Sequence, residues 1–240
     1  MVFILAGLLG GVGIKPAQGA TFPKSGCDQV LYKKLYTVCY SKKHRQAFWT
    51  SHDLTLESIS GTAQRTDRFK ADPDLDDPVL PTDYTRSGYD RGHLVPAGDM
   101  KLNGQAMADS FFMSNMSPQV PQMNRGLWSS LENTLRKWVK QFGDAWVITA
   151  PVLYKGLQKL PSGVSIPTQY YKIVYVPSQK MMAAFLVPNI NTTGHNFWDY
   201  VTSVDKLEVL TGFDFYHELD DALEKKLEKQ VAAPSKWSIY

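Results

Sequence analysis

Apolar residues recur along this chain in two rhythms, one of strands and one of helices. Alternation around Ala47-Phe48-Trp49-Thr50 predicts a strand. β-rich runs at 145–154, 169–177 and 181–188 predict three more, and Ser178-Gln179-Lys180 joins the last two as an antiparallel hairpin. Leu127, Leu131, Leu135, Trp138 and Phe142 fall at helical spacing and predict a helix over 123–142. Two further helices are expected over 196–212 and 218–232, with Gly212 capping the first. Residues 71–83 interleave Pro73, Pro78 and Pro81 with Asp72, Asp74, Asp76, Asp77 and Asp83, which is loop chemistry. Asp72, Asp74, Asp76 and Asp77 lack the spaced Glu and the Gly of a calcium loop, so a solvated loop is expected. Strands grouped by hairpins and flanked by separate helices argue for an α+β fold: a central antiparallel sheet with helices around it. No repeat or Gly/Ser linker divides the chain, so residues 20–240 are expected to form one domain with its core at about 25–232.

Composition narrows the class only a little. The 240 residues are 43% apolar and 20% charged, an ordinary globular profile able to bury a core. A formal charge of +3 is too small for a nucleic-acid coat protein. It leaves open an enzyme with a local basic cleft, since phosphate contacts are local. Residues 1–19 carry a Gly-rich apolar run followed by Ala17-Gln18-Gly19, the pattern of an export signal, although their basic residue, Lys15, follows the run. Residues 1–20 contain no Arg and no Ser, unlike a mitochondrial leader. On this reading the protein is secreted or periplasmic. There Cys27 and Cys39 either close a loop or remain two buried thiols; their spacing is not that of zinc ligands.

The chemistry is concentrated in two places. Asp90-Arg91-Gly92-His93 puts an acid, an arginine and a histidine into four residues, with a glycine that permits close backbone approach. A guanidinium forks onto phosphate oxygens, and a neutral imidazole takes a proton from water near neutral pH. Taken alone, His93 reads more readily as a capping or core histidine. Downstream stand Asn115-Met116-Ser117-Pro118-Gln119, Asn124-Arg125-Gly126, Glu132 and Arg136. His44, His52, His195 and His217 show no metal-ligand spacing.

The Asp-Arg-Gly-His motif, the Asn-Met-x-Pro-Gln segment and the Asn-to-Arg helix, in that order, resemble the DNA/RNA non-specific endonuclease family of the ββα-metal (His-Me finger) superfamily. The likeness spans most of residues 45–216, including the Arg65 segment and Thr211-Gly212-Phe213-Asp214-Phe215. It implies a ββα-metal active-site motif and a Mg²⁺-dependent hydrolase of DNA and RNA, with Mn²⁺ as a substitute, leaving 5′-phosphate and 3′-hydroxyl ends. His93 corresponds to the general base and Asn124 to the metal ligand, while Asp90 and Glu132 would hold metal-bound water. Asn115 would order the site, and Arg65, Arg91 and Arg136 would clamp phosphate, with Arg68 an alternative to Arg65. At about 3.6 residues per turn, Glu132 lies roughly 80° around the helix from Asn124 and Arg136 roughly 40° further, so the three share one edge. A catalytically inert binding module on the same fold is the competing reading. Oligomeric state and any inhibitor partner are not legible.

Overall fold

The computed structural model describes residues 26–239. In chain order its strands are Gln29–Tyr32 (β1), Tyr36–Ser41 (β2), Gln46–Leu54 (β3), Asp90–His93 (β4), Met116–Gln119 (β5), Ala145–Pro151 (β6), Gln169–Val176 (β7), Met181–Pro188 (β8) and Val201–Thr202 (β9). Its α-helices are Leu56–Ser60 (α1), Gly104–Asp109 (α2), Ser129–Phe142 (α3), Val204–Thr211 (α4) and Asp221–Glu228 (α5). Seven strands make one antiparallel sheet in the order β1-β2-β3-β6-β7-β8-β9, and β4 and β5 pair separately. The fold is α+β, as expected.

Both faces of the large sheet are covered. On one, Tyr170, Val174 and Val176 of β7 pack with Leu131, Leu135 and Trp138 of α3. On the other, Tyr171, Ile173 and Tyr175 pack with Val204 and Leu207 of α4 and Leu227 of α5. A strand covered on both sides loses its polar alternation, which is why β7 reads as an almost unbroken apolar run. The exception is Lys172, which the period of two places on the α3 face, fully buried.

Several expectations need correction. β1 and β2 were not foreseen, because β2 is buried along its whole length and shows no alternation. The segment 196–212 is not one helix. Asn196 caps a 3₁₀ turn, Phe197–Tyr200, whose rings pack on Trp138 and Phe185. β9 then pairs with β8, and the Ser203 hydroxyl accepts from the Lys206 N–H to start α4. Gly212, at φ 74°, does cap α4. The last helix shortens to Asp221–Glu228 behind an Asp220 cap. Nor is the 71–83 loop solvated throughout: Asp72 is fully buried, taking Lys33 Nζ at 2.6 Å and the Ser114 hydroxyl, while Asp77 pairs with Arg45. Cys27 and Cys39 form a disulfide that ties the chain ahead of β1 to β2, a bond suited to an extracellular or periplasmic setting. The proposed export signal lies outside the described residues.

Candidate active site

The Asp-Arg-Gly-His tetrapeptide is β4. It pairs antiparallel with β5, Asp90 opposite Gln119 and His93 opposite Met116. Alternation turns Arg91 and His93 toward the same face. Gly92 is required by packing: a Cβ there would sit 2.1 Å from Gln119 Oε1. The close approach that Gly92 permits is therefore to the neighbouring strand's side chain.

Beside this pair, the helix that carries Asn124 opens with a π turn, Met123–Trp128, in which the Ser129 N–H donates to the Asn124 carbonyl five residues back. α3 continues from it. β4, the turn at Pro96, Ala97 and Gly98, and this helix surround a cleft of about 490 Å³, lined by Asp90, Arg91, His93, Asn124, Glu132 and Arg136 and also by Arg65. Seven of the eight residues singled out from the sequence thus meet in one place. Asn115 does not reach the cleft. It is fully buried, and its side-chain amide both accepts from the Val95 N–H and donates to the Val95 carbonyl at 2.9 Å, fixing the chain just after His93.

Asp90 is committed to neighbours. Its Oδ2 accepts from Asn124 Nδ2 and Arg125 Nε at 2.8 Å, and its Oδ1 from Arg125 Nη2 at 2.6 Å. Burial opposes ionisation of this carboxyl, but these donors outweigh it and hold it below the usual carboxylate range. With the donor side of the Asn124 amide turned to Asp90, its carbonyl oxygen is the group left for a ligand. Sequence reasoning missed Arg125 as the third member of this set.

His93 stands between two rings, 5.0 Å from Phe111 and 5.7 Å from Phe69 by centroid. Arg65 lies over the Phe111 ring and Arg91 over Phe69, at 5.1 and 5.2 Å. Burial, then the Arg65 charge, push the imidazole down to about 3, with Asp67 opposing. Its Nε2 has no hydrogen-bond partner among the described residues. Arg91 Nε and Nη2 both donate to the Pro81 carbonyl, and Arg65 Nε to Asp67. Arg65 lines the cleft and Arg68 does not.

The far wall is held by a chain of charges. Arg136 donates Nη1 to Asp99 at 2.6 Å and Nη2 to Asn133 at 2.8 Å. Asp99 also takes His52 Nε2 at 3.2 Å. Burial would raise the Asp99 carboxyl, yet His52 and Arg136 keep it lowered. Gly98 gives the guanidinium room, since a Cβ there would lie 2.9 Å from Arg136 Nη1. Beneath Glu132, Lys172 donates to Thr149 at 2.5 Å and faces the Trp128 ring at 4.9 Å. Burial raises the Glu132 carboxyl and lowers the Lys172 ammonium, and each charge partly offsets the other's shift. His52, Asp99 and Lys172 escaped the sequence reading. For Lys172 the only signal was a lysine inside an apolar run.

A family model described as DNA/RNA non-specific endonuclease matches residues 15–222. Nuclease C1 of Cunninghamella echinulata var. echinulata is 36% identical over 207 residues, covering 77% of this chain and 82% of that protein. A nuclease of Nostoc sp. is 32% identical over 228 residues, covering 89% and 82%. Among solved structures, the EndoG/EndoGI complex, described for the mechanism of EndoG inhibition, superposes with a TM-score of 0.77 at 26% identity, over 87% of this chain and 94% of that one. A cleft lined by β4 and one helix, in a chain matched over most of its length, places this protein in the DNA/RNA non-specific endonuclease family, as a phosphodiester hydrolase.

Proposed function

We propose that the protein is an exported, Mg²⁺-dependent endonuclease that hydrolyses DNA and RNA to 5′-phosphate and 3′-hydroxyl ends, with residues 20–240 acting as one domain. The observation that supports this reading is the Asp90–Asn124 hydrogen bond at 2.8 Å, which leaves the Asn124 carbonyl oxygen free to serve as a neutral metal ligand beside His93, whose neutral form burial favours. The donor set fits Mg²⁺. A single neutral oxygen leaves most positions to water and phosphate, which suits an ion that dehydrates reluctantly. Among the described residues, no cluster of three His, Cys, Asp or Glu ligands falls in the cleft. When bound, the ion supplies Lewis acidity to a non-bridging phosphate oxygen and charge to the departing 3′-oxygen. Mn²⁺ is a suitable substitute.

His93 takes the proton from the attacking water, its neutral form being the one burial favours. Arg65, Arg91 and Arg136 hold the phosphate oxygens against the cleft wall. Glu132 orders water on the metal side, and Asp90 acts through Asn124 by orienting its amide. Asn115 positions His93 through Val95. Because the nucleophile is water, the 2′-hydroxyl is not needed and both nucleic acids are substrates. A solved relative is described in complex with EndoGI, so a protein inhibitor is a natural partner class.

Supercoiled plasmid and RNA, incubated with Mg²⁺ or with EDTA, test the reading directly. Both should be degraded with Mg²⁺ and neither in EDTA. His93→Ala should lose at least a few hundredfold in kcat, within the range for removal of a general base. Degradation that continues in EDTA would reject the metal, and retained activity in His93→Ala would reject the base.

A further inference from the structure

A second group of carboxylates lies on the opposite face of the large sheet, where α4 and α5 pack. Asp205 and Glu208, three residues apart on α4, meet Glu228 at the last position of α5. Ligand oxygens of all three lie within 4.8 Å of one another. Three oxygens at that limit share a point about 2.8 Å from each, so a shift of a few tenths of an ångström lets one ion reach all three at calcium–oxygen distances of about 2.3–2.6 Å.

Glu228 makes this more than an acidic patch. It is 5% exposed, and its Oε1 is buried with no hydrogen-bond partner. A helix C-terminus is the wrong end for a negative charge, and burial without a partner compounds the cost. Burial, then Glu208, Glu224, Asp205 and Asp214, push its carboxyl up to about 9. Among the described residues no Lys or Arg forms an ion pair with Asp205, Glu208 or Glu228. Glu208 spends Oε1 on the Phe215 N–H at 2.8 Å, which ties the 211–216 segment to the same cluster. Asp205 is exposed and leaves a path to water.

We propose that Asp205, Glu208 and Glu228 form a structural Ca²⁺ site that clamps α5 to α4, separate from the nuclease cleft. All three donors are carboxylate oxygens, the set a hard divalent cation takes, and water completes the shell on the Asp205 side. Magnesium would need the oxygens drawn closer, near-octahedral and about 2.1 Å from the ion, which two short helices do not impose. The ion supplies the positive charge that the cluster lacks and lets Glu228 ionise in place.

The test uses the full chain carrying Asn124→Ala, so that the cleft metal is removed from the count. Equilibrium dialysis against radioactive calcium at about 1 mM should find one ion per chain. The same protein with Glu208→Gln and Glu228→Gln should bind none. Calcium at about ten times its dissociation constant should raise Tm by about 3 to 5 °C in the first protein and not in the second. Without calcium, the Gln variant should melt no lower than its parent, because neutral amides replace repelling acids; this separates loss of the site from loss of the fold. No uptake by the Asn124→Ala protein, or uptake that survives both Gln substitutions, would overturn the site. Equal displacement of the calcium by an equal concentration of Mg²⁺ would overturn the assignment to calcium.

Discussion

Burial and the Arg65 guanidinium act on His93 in the same direction, and both disfavour the imidazolium. The base form is therefore fully populated at neutral pH, at the expense of basicity. A phosphate anion in the cleft offsets Arg65 and raises the imidazole again. In the free protein, the His93 ring resonance should keep its neutral position down to about pH 4, well below the ordinary histidine range. A short phosphorothioate oligonucleotide in EDTA should move the midpoint upward. An NMR titration reads both, and a midpoint near the ordinary histidine value in the free protein would contradict the burial. Asp90 makes a second prediction at this scale. Asp90→Asn removes the charge that fixes the Asn124 amide and the Arg125 guanidinium. The Mg²⁺ concentration for half-maximal activity should rise about tenfold or more, the usual effect of losing a group that orients a metal ligand. At saturating Mg²⁺, kcat should change far less. An unchanged midpoint would mean that Asp90 does not set the amide.

The elements show what a sequence can and cannot disclose. The helix over 123–142 was legible from its leucine stripe, but its π opening was not, because a widened turn leaves the apolar stripe of α3 intact. The angle between Asn124 and Glu132 inferred from ideal geometry consequently does not hold, although both residues do line the cleft. Asp99 and His52 were invisible for another reason: they act through Arg136 across the fold, and no local spacing records a contact between residues this far apart in the chain. Lys172 of β7 acts on Glu132 of α3 through charge, without a direct ion pair. Glu132 is raised, so its ionisation costs stability as pH climbs above the ordinary glutamate value. Lys172 is lowered, so its charge costs stability as pH falls below the ordinary lysine value. Lys172→Met removes the buried cation and leaves the acid. At about pH 8 the variant should be less stable, because Glu132 loses the buried cation that favours its ionised form. At about pH 4, where Glu132 is protonated, the loss should shrink or reverse. Urea unfolding at the two pH values checks this, and an equal loss at both would exclude the pairing.

At the scale of the whole molecule, a formal charge of +3 says almost nothing about nucleic acid, and the fold explains why. Arg65, Arg91 and the helix that carries both Arg125 and Arg136 come from three separate stretches of sequence, yet all four arginines line one cleft whose acids are Asp90 and Glu132. Their partners differ in how much charge they cancel. Arg125 is consumed by Asp90 and Arg136 shares Asp99 with His52, while Arg91 rests on a neutral carbonyl and Arg65 on an exposed aspartate. If Arg65, Arg91 and Arg136 each neutralise one phosphate, duplex DNA binding should fall with a slope of about −2.7 in log affinity against log salt. Raising salt from about 50 to about 200 mM then costs about fortyfold in affinity. Single strands should show a shallower slope, about −2.1. His93→Ala protein permits the measurement without cleavage, by fluorescence anisotropy at a series of KCl concentrations. Arg65→Ala should flatten the duplex slope by about 0.9 and weaken binding to every sequence alike, since a phosphate contact carries no base information. Arg68→Ala should leave the slope unchanged, because that side chain does not line the cleft. A slope near zero would mean that substrate is held by something other than these arginines, and a flatter slope in Arg68→Ala alone would transfer the role from Arg65 to its neighbour.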